Sequence, residues 1–254
     1  MDKYGLIGFP LGHSFSRAFF TEKFAREGIN AQYVNYEIED ARQLLDIVRS
    51  TPTLKGLNCT IPHKQAIIPL LDWLSPEAQE IGAVNVVKIC RTPEGIILQG
   101  YNSDIIGFRE SIRPLLRPTH RQALILGTGG ASRAIRVALT QLGIRWKLVS
   151  RKGTSDTLRY DDITPDVLQQ FTLIVNCSPV GMHPHVNEAP LLPYEALTTE
   201  HLLFDLIYNP EATRFLQLGA RQGATIKNGL EMLHLQAIAS WDIWNQSNEN
   251  TPSK

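Results

Sequence analysis

Short apolar runs alternate along this chain with longer segments whose apolar residues recur every three to four positions. The first kind suits buried strands, and the second suits amphipathic helices packed on them. In the first hundred residues the runs predict strands near Tyr4–Gly8, Gln32–Glu37, Leu57–Thr60 and Val84–Ile89. Gly95–Gln99 is expected to pair with the last of these through the turn Thr92-Pro93-Glu94. Helices are predicted at Arg17–Gly28, at Asp40–Ser50, where Leu44, Leu45 and Val48 share a face, and at His63–Leu71 after Pro62. A helix from about Asp104 to Leu116 ends in Arg113-Pro114 and Arg117-Pro118, a basic, proline-bearing stretch that reads as a junction.

A second series starts at Gln122. Strands are predicted at Ala123–Leu126, Trp146–Val149, Leu173–Asn176, Leu203–Ile207 and Ala224–Lys227. The helix after the first carries Ala134, Ala138 and Leu142 on one face and stops at Gly143. A last helix from Gly229 places Leu230, Leu233, Ala237 and Trp241 on one side. Strands alternating with helices in this way predict an α/β protein with largely parallel sheets.

Composition adds only exclusions. The chain has 254 residues, 25 Lys+Arg against 25 Asp+Glu, 43% apolar residues and 20% charged ones. That is enough apolar material for a packed core in one large domain or two small ones. Balanced charge argues against a nucleic-acid partner, which selects for a basic excess. No apolar stretch reaches the roughly 20 residues of a membrane span, and the start does not read as a signal peptide. Cys59, Cys90 and Cys177 are odd in number and lack CxxC spacing, so neither a disulfide framework nor a zinc site is expected, and a reducing cytoplasmic setting fits best.

Two sets of residues carry candidate chemistry. The first is Leu126-Gly127-Thr128-Gly129-Gly130-Ala131-Ser132, a strand, a glycine turn and a helix start. Such a turn lets backbone approach a pyrophosphate while helix N–H groups face it. A strict dinucleotide fingerprint has glycine where Ser132 stands. The next strand ends in Ser150-Arg151-Lys152-Gly153-Thr154, where an NAD enzyme places an acid for the ribose. Two cations and two hydroxyls suit a 2′-phosphate instead, which favours NADP.

The second set lies in the first half: Ser14 and Ser16 before a helix, Thr60 and Lys64 around Pro62, Asn85 at a strand start and Asp104 opening a helix. Ligands gather at the carboxyl ends of strands in open α/β sheets. A lysine in a first helical turn faces the positive helix end, which opposes its charge, whereas a carboxylate such as Asp104 would favour it. A lysine so poised can exchange a proton with a substrate hydroxyl. His13, His63, Cys59, Cys177, Trp241 and Trp244 read as capping or packing residues, and His183 and His185 lack the companions of a metal site.

Taken together, Gly8–Ser16 (GFPLGHSFS), Gly56–Lys64 (GLNCTIPHK), Gly82–Asn85 (GAVN), Gly100–Asp104 (GYNSD), Gly127–Ala131 (GTGGA), Asn176–Met182 (NCSPVGM), Asp205–Phe215 (DLIYNPEATRF) and Asn228–Ala237 (NGLEMLHLQA) make the chain resemble the shikimate dehydrogenase family over nearly its whole length. The resemblance implies a substrate domain of about residues 1–106, completed by the helix 229–254, and a Rossmann-like NADP domain of about 107–228. It implies reversible reduction of 3-dehydroshikimate to shikimate with NADPH. By the same resemblance Ser14 and Ser16 bind the substrate carboxylate, Thr60, Asn85 and Gln236 hold its ring hydroxyls, and Tyr208 lines the pocket. Lys64 and Asp104 form the catalytic pair. Gly127, Thr128, Gly129, Gly130 and Ala131 cradle the pyrophosphate, Ser150, Arg151, Lys152 and Thr154 hold the adenosine phosphate, and Leu206 and Gly229 meet the nicotinamide end. A small-molecule substrate is the expected partner, with no metal, nucleic acid or membrane; monomer and homodimer both stay open. The competing readings are a quinate dehydrogenase preferring NAD and a non-catalytic ligand sensor.

Overall fold

A computed structural model describes residues 1–12 and 14–247; His13 lies outside them. The chain forms two compact units, Met1–Ser103 with the chain from Ala237, and Asp104–Gln236. Among the described residues no helix is long and apolar enough to cross a membrane.

The first unit runs β1 (Asp2–Gly8), α1 (Phe15–Glu27), β2 (Ala31–Glu37), α2 (Gln43–Ser50), β3 (Leu54–Cys59), α3 (His63–Ala66), β4 (Trp73–Leu74), α4 (Pro76–Ile81), β5 (Val86–Thr92) and β6 (Gly95–Tyr101). Its sheet has the order β2-β1-β3-β5-β6-β4. All neighbours are parallel except that β5 runs against both β3 and β6. This reversal follows from the tight hairpin joining β5 to β6, which closes at Thr92 opposite Gly95. Its consequence is positional. Val86, at the start of β5, lies opposite Asn58, near the end of β3, so the residue before a strand reaches the edge where other strands finish.

The predicted helix His63–Leu71 is shorter than expected. It ends at Ala66, and Ile68–Leu70 form a separate 3₁₀ turn. Pro69 explains the break, because it has no N–H to continue the ladder. A four-residue helix contributes little dipole, so the dipole argument for Lys64 loses most of its force. One face of the sheet packs Ile7, Leu57, Val87 and Leu98 against Leu44 and Val48 of α2. The other carries Tyr4, Phe20, Phe24, Tyr33 and Trp244. Trp244 sits 4.9 Å from Tyr4 and 5.2 Å from Phe20 between ring centroids, and a Cβ on Gly56 would run into its indole. The two tryptophans read as packing residues are packed, Trp241 lying 5.3 Å from Tyr4.

The second unit runs α5 (Asp104–Ile112), β7 (Gln122–Leu126), α6 (Gly130–Gln141), β8 (Arg145–Ser150), β9 (Thr157–Arg159), α7 (Pro165–Gln170), β10 (Leu173–Asn176), β11 (Leu202–Asp205), α8 (Arg214–Arg221), β12 (Thr225–Lys227) and the start of α9 (Leu230–Asn245). The sheet order is β12-β11-β10-β7-β8-β9, and every pair is parallel. Numbered from β7, this is the doubly wound order 3-2-1-4-5-6, whose winding reverses between the first and fourth strands. β7 and β10 are those strands, and the glycine turn follows β7. A Cβ on Gly127 would lie 3.2 Å from the Ser178 nitrogen just past β10.

Asp205 organises the edge of this sheet. It is fully buried at the end of β11. Its carboxyl accepts from Thr213 Oγ1 at 2.6 Å, from the Ile207 N–H at 3.0 Å and from Asn176 Nδ2 at 3.1 Å. The cap of α8, the loop after β11 and the end of β10 therefore meet on one side chain. Burial pushes the Asp205 carboxyl up to about 6, against the pull of those three donors. An exposed carboxyl titrates near 4. Between these values the native chain keeps a proton that the unfolded chain has released, so stability falls as pH rises through the window and levels above it. Urea unfolding of wild type and Asp205→Asn from pH 4 to 8 tests this. The wild type is expected to lose stability relative to the variant, on the order of 3 kcal/mol, since each pH step of one across the window removes roughly 1.4 kcal/mol. Superimposable pH profiles would refute the assignment.

Candidate functional site

The carboxyl edge of the first sheet collects five of the residues singled out from the sequence. Ser14 is the N-cap of α1, and its Oγ accepts from the Arg17 N–H at 3.2 Å. That bond uses a lone pair and leaves the hydroxyl proton for another acceptor. α1 has no acidic residue in its first turn, so the partial positive charge at its start is not neutralised from within the helix. Ser16 stands one position inside α1. Two hydroxyls at such a helix start suit a carboxylate.

Thr60 follows β3, and its N–H bonds the Ile7 carbonyl at the end of β1 at 3.0 Å. Lys64 is half-buried on α3, and its carbonyl accepts from the Val84 N–H at 2.7 Å. This draws the lysine's backbone beside Val84 and Asn85. The Asn85 carbonyl accepts from the Cys59 N–H at 2.9 Å, while its side-chain oxygen accepts from the Ser103 N–H at 2.7 Å. The reversal of β5 is what places Asn85 there. His63 takes no part: it is buried, with Nε2 2.7 Å from the Ile38 carbonyl oxygen.

The second unit holds the rest. Asp104 opens α5, a favourable place for a carboxylate. One turn on, Gly107 lets α9 approach closely, since a Cβ there would meet the Met232 carbonyl at 2.6 Å and Gln236 Cβ at 3.0 Å. The helix bearing Asp104 and the stretch bearing Gln236 are thereby brought together. The half-buried Gln236 donates from Nε2 to the Leu233 carbonyl. Gly229 is buried against Leu206, whose carbonyl leaves no room for a side chain, and its N–H bonds the Ile207 carbonyl at 3.1 Å. Leu206 and Gly229 are therefore neighbours, and Tyr208 is exposed two residues beyond Leu206.

The glycine turn has the shape a dinucleotide requires. Gly127 has a φ of +102°, which side chains rarely adopt, and no protein atom lies within 4 Å of a Cβ built on Gly129 or Gly130. Gly129 is the N-cap of α6 with no side-chain cap bond, and Thr128 and Ala131 are exposed on either side of the glycine pair. The start of this 12-residue helix is thus exposed, with room for a ligand beside its glycines. Ser132, the departure from the strict fingerprint, is buried and donates from Oγ to the Gly129 carbonyl at 2.7 Å, which closes the turn.

In the loop after β8 the hydroxyls and the cations differ in role. Ser150 Oγ accepts from the Gly153 N–H at 3.1 Å, and Thr154 Oγ1 lies 3.1 Å from Thr157 Oγ1. Both hydroxyls hold the loop's shape, and Gly153 turns it at a φ of +61°. Arg151 and Lys152 are exposed, and neither forms an ion pair among the described residues. Also among the described residues, no cluster of three or more His, Cys, Asp or Glu could hold a metal ion. Four buried residues at the first edge are not singled out by the sequence: Tyr33, Asn58, Ser103 and Ser240. Asn58, a lone amide inside the buried run of β3, is the one visible signal.

A family model described as the shikimate dehydrogenase substrate binding domain matches residues 6–87. A curated shikimate dehydrogenase (NADP(+)) of Desulforamulus reducens is 34% identical over 262 aligned residues, covering 94% of this chain and 88% of its own. A solved shikimate 5-dehydrogenase of Thermus thermophilus, in complex with NADP(H) and shikimate, is 30% identical, with a TM-score of 0.82 and 96% and 94% of the two chains covered. A 5-ketofructose reductase of a Gluconobacter strain is 28% identical with a TM-score of 0.81, covering 96% and 92%. The fold is thus shared with a reductase of another name, while one-third identity extends along nearly the full length of the curated relative. On that evidence the chain belongs to the shikimate dehydrogenase family.

Proposed function

We propose that this chain catalyses the reversible, NADP-dependent reduction of 3-dehydroshikimate to shikimate. The observation that carries the reading is the set of groups gathered on the first sheet's carboxyl edge: two serines at an acid-free helix start, Thr60 and Asn85, and the half-buried Lys64. These match a small anionic polyol. Ser14 and Ser16 donate to its carboxylate, helped by the start of α1. Thr60, Asn85 and Gln236 bind its ring hydroxyls, and Tyr208 borders the ring.

Lys64 and Asp104 act as the proton-transfer pair. Lys64 gives its proton to the oxygen of the carbonyl as that carbon is reduced, and takes it back from the alcohol in the reverse direction. Asp104 is its partner in that transfer. When bound, NADPH supplies the hydride. Gly127–Ala131 would hold its pyrophosphate, with Leu206 and Gly229 at the nicotinamide end. Arg151 and Lys152 would hold the 2′-phosphate, on a loop shaped by Ser150 and Thr154.

Two measurements test the reading. Lys64→Ala is expected to lower kcat for shikimate oxidation by at least ~10²-fold, the scale of lost general acid–base catalysis; a variant keeping near-full turnover would overturn the mechanism. The double change Arg151→Ala and Lys152→Ala should raise KM for NADP by about tenfold or more, as expected for losing charge-assisted bonds to a phosphate, and should leave KM for NAD nearly unmoved. Equal losses with both cofactors would remove the 2′-phosphate role, and a wild type that prefers quinate and NAD would favour the competing dehydrogenase.

A further inference from the structure

Ser240 lies on α9 and is fully buried. It sits one turn before Trp244, whose indole lies against Gly56 and donates to the Val87 carbonyl at 3.1 Å. Four helical residues span about 6 Å, and two strand residues about 6.7 Å. With Trp244 fixed at Gly56, the residue one turn earlier therefore falls at Asn58, two positions along β3 on the same face. Ser240 is that residue, and its hydroxyl is 2.9 Å from Asn58 Nδ2, which donates to it.

The bonding extends in both directions. Asn58 Oδ1 accepts from the Tyr33 hydroxyl at 2.8 Å. On the other side, Ser240 Oγ is 3.1 Å from Ser103 Oγ. Ser103 in turn bonds the Asn85 side chain, giving its N–H to Oδ1 at 2.7 Å and receiving from Nδ2 at 3.1 Å. An unbroken line of hydrogen bonds runs Tyr33–Asn58–Ser240–Ser103–Asn85. Its members from Tyr33 to Asn85 are all buried. Hydrogen bonds shielded from water hold their geometry more strongly, and a broken link leaves a buried group unsatisfied.

The far end of this line is an amide assigned to the substrate's ring hydroxyls. We infer that Ser240 is a positioning residue for the substrate, fixing the placement of Asn85 against β3 without touching the ligand. The inference rests on the proposed function, because that reading assigns Asn85 to the substrate. It also gives the last helix a part in substrate selection beyond Gln236.

Steady-state kinetics of Ser240→Ala tests the role. KM for shikimate is expected to rise about three- to tenfold, the value of one hydrogen bond, while kcat and KM for NADP stay within about twofold. Ser240→Thr, which keeps the hydroxyl, should restore the wild-type KM. Ser240→Cys nearly preserves the volume but hydrogen-bonds weakly, so it should raise KM as Ala does, and it serves if the Ala variant does not fold. A lowered melting temperature with an unchanged KM for shikimate would make Ser240 a purely structural residue and overturn the inference. A wild-type chain inert toward shikimate would instead overturn the functional reading, so the two failures are distinguishable.

Discussion

The seating of Trp244 on Gly56 sets the register of everything on that face of the first sheet. The indole occupies the space a side chain at Gly56 would need, its N–H is satisfied by the Val87 carbonyl, and its ring packs on Tyr4 and Phe20. An aromatic contact of this area is a large contribution to a core, and the hydrogen bond fixes its orientation. A helix that docks this way cannot slide by one residue without driving the indole out of its place. The polar residues near Trp244 are therefore as closely placed as the tryptophan, which is why Ser240 meets Asn58 and Ser103.

A second constraint acts within the sheet. Parallel strands deliver their last residues to one edge, but a sheet built only that way could not bring a strand's first residues there. The hairpin between β5 and β6 reverses one strand, and the residues before Val86 come to the edge where β1 and β3 end. Asn85 then meets Ser103, the last residue before α5. The antiparallel strand is thus the reason that segments distant in sequence share one row. In the second unit the same result comes from the reversal of winding between β7 and β10, where the glycine turn and Ser178 approach each other.

How much of this is legible in the sequence differs by residue, for physical reasons. The glycine turn can be read because Gly127 answers to a backbone demand that shows at one position. Ser132 reads as a defect, since the sequence cannot show a hydroxyl bending back to the Gly129 carbonyl. The short α4 carries its own signals, a Ser75 cap, Pro76 at the first position and Gly82 in the left-handed region, yet six residues give too little periodicity to predict it. β9 has three residues, and β4 has two; strands so short are defined by their neighbours and not by their own pattern. Helix α3 is shorter than its apolar spacing suggests, because the lost hydrogen bond at Pro69 outweighs that spacing. Ser240 is invisible for a deeper reason. On a helix with aromatic and alanine neighbours, a serine reads as filler until the facing strand shows what its hydroxyl meets.

The zero net charge also gains meaning from the geometry. Helices α2, α4 and α7 carry Asp46, Glu77 and Asp166 in their first turns, where acids offset the helix dipole. Helices α1 and α6, which begin at the serine pair and at the glycine turn, carry none. Placing an acid in either first turn would repel an anion at the point where backbone N–H groups could receive it. On the proposed reading, anion recognition needs no basic excess: it needs two helix starts left open, one flanked by serines and one by glycines, with a pair of exposed cations on the loop after β8. Composition averages over such choices, and only the position of each acid reveals them.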